Sequence, residues 1–135
     1  MVGKVEQIDQ ELIHVCEEFY RQLEGGDIRY FDLLDADIEF NSPFGDVHGH
    51  DGVASIFEMA GRAFDEPHPE PEEFVPAGDR LLVTGTWKGR AKATGISVEA
   101  RFAHIVWFRE RKICATHVYV DSAKVREAIE GEGTQ

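Results

Sequence analysis

Residues 100–121 read ARFAHIVWFRERKICATHVYVD, and their pattern decides the architecture. Two long apolar runs flank the short polar turn Arg109-Glu110-Arg111-Lys112. Side chains of a strand alternate between its faces, and strands joined by so short a turn pair antiparallel. One face of the first run carries Phe102, His104, Val106 and Phe108; the other carries Arg101, Ala103, Ile105 and Trp107. Both are too apolar to stand in water. Helices of the same chain can cover one of them. The other needs a second copy, so a homodimer through the outer sheet face is expected, with Ile105, Trp107 and Tyr119 in the contact. Burial of that face under the chain's own proline-rich segment is the alternative.

Upstream, Val5, Ile8, Leu12, Val15, Cys16, Phe19 and Leu23 recur at three- and four-residue intervals. That spacing predicts an amphipathic helix, ended by Gly25 and Gly26. Asp27 is placed to cap a short helix over Ile28–Leu34. Asp51 is placed to cap a third over Gly52–Phe64, with Val53, Ile56, Phe57, Ala60 and Phe64 on one side. Ala36–Asn41 alternates as a strand, closed by Ser42-Pro43-Phe44-Gly45. The acidic stretch Asp65–Glu73 holds Pro67, Pro69 and Pro71, which predicts an extended crossing segment and not a domain linker. Beyond it the period changes from 3.6 to 2, giving strands at Phe74–Val75, Leu81–Lys88, Ile96–Phe108 and Ile113–Val120. Asp121 then caps a last helix, Ser122–Ile129. Helices first and hairpins after imply an α+β fold, one domain over residues 1–135 with its core within residues 5–130. The expected form is a strongly curved antiparallel sheet with three N-terminal helices packed on its concave face, enclosing a conical pocket.

At 135 residues the chain can bury such a core without staples. A formal charge of −12 argues against nucleic-acid and anionic-membrane partners. Met1–Gln10 contains no apolar run, so no secretory signal is expected, and nothing approaches the ~20 apolar residues of a spanning helix. Cys16 and Cys114 fall inside a predicted helix and a predicted strand. They read as buried structural thiols of a reducing compartment, and a cytoplasmic location is expected.

This element order, with Gly25-Gly26-Asp27, Ser42-Pro43-Phe44-Gly45, Gly49-x-Asp51-x-Val53 and His117-x-x-x-Asp121, resembles the nuclear transport factor 2-like superfamily. Within it the chain is most similar to SnoaL-type polyketide cyclases and ketosteroid isomerase-like proteins, over roughly Val5 to Ile129. The resemblance is specific for fold and weak for reaction. It places the oxyanion-donating tyrosine of ketosteroid isomerases on Phe19 and their aspartate base on Ser42, which argues against steroid isomerisation. The Asp-Arg-Asp triad of limonene epoxide hydrolases falls on Trp87, Gly85 and Val118, which argues against epoxide hydration. Their pocket asparagine matches Asn41. The strand histidine of SnoaL-type cyclases matches His104, while Val118 occupies the position of its acid.

His104 is the candidate catalytic residue, either as the chemical centre of an apolar pocket or as a core imidazole satisfied by a hydroxyl such as that of Thr116. In a pocket, desolvation would keep it neutral, able to act as a general base or to bond a substrate carbonyl. A regular hairpin would set His104 opposite His117 and beside Tyr119. A bulge would set it near Thr116 with Val118. The family's turn carries a glycine where this chain has Arg111, which weakens the bulge, but Cys114, Thr116, Val118 and Val120 make the better inward stripe and favour it. Phe19, Trp87, Phe102 and Val118 are expected as walls, with Asn41 and Thr116 as polar positions. On Ala36–Asn41, alternation sends Ile38 and Phe40 inward, whereas the resemblance sends Glu39 and Asn41 there. His48-x-His50 has donors of metal-ligand type but no evident third ligand. No metal and no cofactor are expected. The function expected is binding of a small apolar, cyclic or polyketide-like molecule, with His104-assisted isomerase, cyclase or dehydratase chemistry. The alternative is a dimeric accessory protein that binds without catalysis.

Overall fold

The computed structural model describes residues 3–26 and 28–131. Helix α1 spans Gln10–Glu24, and a 3₁₀ helix spans Ile28–Leu33. Strand β1 (Leu34–Ser42), strand β2 (Gly45–His48) and helix α2 (Gly49–Ala63) follow. Four long strands come next: β3 (Phe64–Ala77), β4 (Arg80–Ala91), β5 (Ser97–Arg109) and β6 (Lys112–Val120). Helix α3, Ser122–Glu130, ends the described chain. The strands form one six-stranded sheet in the order β2-β1-β6-β5-β4-β3.

The α+β class holds, and the sheet is mixed where an antiparallel one was expected. Consecutive strands β3 to β6 pair antiparallel through short turns, but β1 lies parallel to β6, with Phe40 beside Thr116. Hairpin spacing reports only neighbours in sequence, and this pair joins the two ends of the chain. Phe64–Ala77 is a continuous strand on the sheet edge, so its proline-rich half pairs with β4 and does not cross over the outer face. An edge tolerates Pro67, Pro69, Pro71 and Pro76 because a missing N–H there can face solvent.

Helix α1 begins at Gln10, five residues later than the apolar spacing suggested. The Asp9 carboxylate accepts the Leu12 N–H at 3.0 Å and caps it there. The residues before it run extended: Val5 N–H donates to the Phe108 carbonyl at 2.8 Å and Ile8 N–H to that of Gly78 at 2.9 Å. The cap expected at Asp27 lies outside the described residues. Helix α2 starts at Gly49 with His48 as its N-cap, so Asp51 is a first-turn acid and not the cap. It still faces the positive end of the helix dipole. Asp121 does cap α3, accepting the Lys124 N–H.

The core lies between α1, the 3₁₀ helix, α2 and the concave sheet face. It joins Leu12, Cys16, Phe19 and Tyr20 to Leu34, Ile38, Phe40, Val83, Phe102, Val106 and Phe108. A second cluster seats Val125 and Ala128 of α3 on Phe64, Val98 and Ala100. Both cysteines are free and buried, and burial raises the pKa of each thiol. On the outer face Trp107 is only 9 % exposed. Lys4 and Arg80 place their cations 5.2 and 5.1 Å from its ring centroid, and the His117 ring meets it edge-on at 4.7 Å. Tyr119 stands 56 % exposed on the same face. No helix of the described residues is long and apolar enough to cross a membrane.

Candidate functional site

Alternation along β5 turns Phe102, His104, Val106 and Phe108 toward the helices. His104 pairs with Val118 across β6, and Val106 pairs with Thr116. This is the register that a bulge produces. The turn itself is a regular two-residue one, with Arg109 opposite Lys112 and Glu110 supplying the positive φ of 56° in place of a glycine. The extra residue sits farther along: Phe108 pairs with Ile113 and Trp107 with Ala115, so Cys114 is the one left unpaired. That single insertion turns Thr116, Val118 and Val120 inward and His117 and Tyr119 outward.

The concave face, α2 and α3 enclose a cavity of about 250 Å³. Phe19, Trp87, Phe102, His104, Thr116 and Val118 all line it, as do Phe40 and Ser42. Asn41 does not. It pairs with His117 on the opposite face of β1, so alternation and not the family resemblance fixes this strand's orientation. The Ser42 hydroxyl is engaged in its turn, donating to the Gly45 carbonyl at 3.0 Å and accepting the Phe44 N–H at 3.2 Å. Phe44, Met59 and Ile129 line the cavity and are also exposed, which marks them as its apolar mouth. No acidic or basic side chain of the described residues lines the cavity other than the His104 imidazole.

The partner of His104 comes from α1. The Tyr20 hydroxyl lies 2.5 Å from His104 Nδ1. The two rings are near-parallel with centroids 5.7 Å apart, and Phe102 stacks on the imidazole at 4.2 Å. Burial lowers the His104 pKa to about 3 and pushes that of the Tyr20 phenol well above its ordinary value. Both groups are therefore neutral at pH 7. Tyr20 has no other hydrogen-bond partner among the described residues; donating to Nδ1 would satisfy its one proton, and the imidazole would then carry its own on Nε2. Among the described residues His104 makes no other hydrogen bond, and it lines the cavity. The Thr116 hydroxyl lies one diagonal step away on β6 and makes no hydrogen bond among the described residues. The site thus offers one imidazole and one hydroxyl in an apolar hollow. Tyr20 was missed in the sequence, although it follows Cys16 by four residues on the buried side of α1.

Residues 16–116 match the profile of the SnoaL-like domain family. The chain belongs to that family. Solved structures agree in fold with this SnoaL-like domain. A nuclear transport factor 2-like protein from Burkholderia xenovorans is 26 % identical, with TM-score 0.78 over 90 % of this chain and 98 % of that one. A protein from Jannaschia, described by its likeness to SnoaL-like polyketide cyclases, is 12 % identical, with TM-score 0.80 over 95 % and 96 % of the two chains. A protein of ketosteroid isomerase-like fold from Catenulispora acidiphila, crystallised with trimethylamine, is 13 % identical, with TM-score 0.76 over 91 % and 95 %. No curated protein matches.

Proposed function

We propose that this SnoaL-like domain binds a small, uncharged, largely apolar molecule and that His104 donates its Nε2–H to a carbonyl oxygen of that molecule. The observation that carries this reading is the Tyr20–His104 pair beside the cavity: a Tyr20 hydroxyl donating to Nδ1 would leave the ring proton on Nε2 as a neutral donor. A ligand carboxylate would lose its hydration with no cation to replace it, at a cost of several kcal/mol. A ring ketone, a lactone or a polyketide-like fragment meets the same walls without that loss. As a donor, His104 would stabilise negative charge developing on the carbonyl oxygen during isomerisation, cyclisation or dehydration. The general-base role fits less well, because the ring lone pair is engaged by Tyr20. Binding without turnover is favoured by one further observation: no carboxylate of the described residues lines the cavity to take the second proton role. The outer sheet face around Tyr119 is proposed to pair with a second copy.

Thermal-shift screening of cyclic ketones, lactones and their carboxylate analogues, followed by product analysis, tests the reading. Neutral carbonyl compounds are expected to stabilise the protein and their carboxylate analogues to leave it unchanged. His104→Ala, if folded, is expected to lose about 1 kcal/mol of binding, and about 10²–10³-fold of any turnover. Recovery of every binder unchanged selects the non-catalytic reading. Equal binding by His104→Ala and the parent protein would remove His104 from the proposal altogether.

A further inference from the structure

Outside the cavity, the end of α1 and the edge strand β3 bring Glu24, His68 and Glu70 together. One ligand-type atom from each lies within 4.8 Å of the others. His68 Nδ1 lies 2.7 Å from the Glu66 carbonyl. Carbonyl and carboxylate oxygens both only accept, so with no ion bound His68 donates from Nδ1 to Glu66 and from Nε2 to Glu70 Oε2, 2.9 Å away, and a metal ion would displace the Nε2 proton while the carbonyl keeps the other. This is how a metal-ligating histidine is oriented, its far N–H held by a backbone oxygen. Glu66 is held at a φ of 50°, which aims that carbonyl. Lys88 takes the other oxygen of Glu70, Oε1, at 3.0 Å, leaving Oε2 on the side of His68. Glu24 is the last residue of α1, where the negative end of the helix dipole adds to the attraction for a cation.

We propose that Glu24, His68 Nε2 and Glu70 Oε2 form a site for a first-row divalent cation of the Zn²⁺ type. One imidazole and two carboxylates suit a borderline ion, with water completing its shell. Ligand distances of about 2.0–2.2 Å in a tetrahedral shell set ligand atoms roughly 3.4 Å apart, so His68 Nε2 and Glu70 Oε2, now 2.9 Å apart, part slightly while Glu24 moves in. The exposed Glu24 side chain supplies that movement by rotation. The ion would tie the end of α1 to β3 immediately beside the cavity, since Leu23 and Pro69 both line it. The site is independent of whatever the cavity binds.

Protein dialysed against chelator and titrated with ZnCl₂ tests the assignment by calorimetry and by melting temperature. One Zn²⁺ per chain is expected to bind and raise the melting temperature. Glu24→Gln and His68→Gln should each weaken uptake by at least about tenfold. A His48→Gln/His50→Gln variant should bind as the parent does. Absence of uptake, uptake unchanged by His68→Gln, or equal competition by Mg²⁺ would each overturn the proposal. Glu24 is exposed, so its variant tests the ligand set without touching the core.

Discussion

Burying an imidazole against Tyr20 and Phe102 with no carboxylate beside it gives His104 a consequence that stability can report. In the unfolded chain its pKa is about 6.5. In the folded protein burial lowers it to about 3. Between those values the unfolded chain holds a proton that the folded ring refuses. Stability therefore falls as pH falls through that window, by up to about 1.4 kcal/mol per pH unit. The contribution is neutral above about pH 6.5. Denaturant unfolding of the parent and of His104→Gln between pH 6.5 and 4.5, above the main carboxylate range, measures this residue's share. The parent is expected to lose stability faster than the variant. Parallel curves would mean that the ring takes up its proton in the folded state. The position of His104 was legible from strand alternation alone. Its partner was not, because Phe19, Tyr20 and Leu23 spread over a broad helix face, and spacing does not say which of them reaches β5.

Strand β4 shows where element-scale reasoning succeeded and where it stopped. Its existence and direction followed from its period of two and from the short turns on either side. The closeness of β3 at Gly85 did not. A Cβ built on Gly85 would collide with the Glu70 carbonyl and come within 2.9 Å of the Phe102 ring and of Pro71. Two of those neighbours are backbone, which cannot swing aside. Gly85→Ala is therefore expected to cost about 1–3 kcal/mol by overpacking, seen as a lower urea midpoint with little change in slope. A stability equal to that of the parent would show that β3 can lift from β4 at no cost. The same contact explains why the proline-rich stretch was under-read. Its prolines excluded a central strand, and an edge strand held at a glycine leaves no periodic signature of its own. The bulge at Cys114 is the reverse case: its position was hidden, yet the inward stripe it creates at Thr116 and Val118 was visible in the residue types.

At the scale of the whole molecule, two apolar sheet faces favour a second copy, and the fold covers part of the outer one. Trp107 is covered inside one chain by Lys4 and Arg80, so this ring alone does not demand a partner. What remains outward is Tyr119, with the partly buried Ile105 and His117 around it. Each chain carries −12 formal charges, so two copies repel, and apolar contact must outweigh that repulsion. Screening shortens the repulsion to about 8–10 Å at ordinary ionic strength and leaves the apolar contact in place. Association should therefore strengthen from low to moderate salt, opposite to an interface held by ion pairs. Light scattering coupled to size exclusion is expected to give a mass of two chains at moderate salt, moving toward one as salt is removed. Tyr119→Glu would place a charge on the face proposed to pair and should give the single-chain mass while the melting curve of the isolated chain stays close to the parent's. A single-chain mass for the parent at every salt concentration, or a dimer indifferent to Tyr119→Glu, would place the pairing surface elsewhere or nowhere.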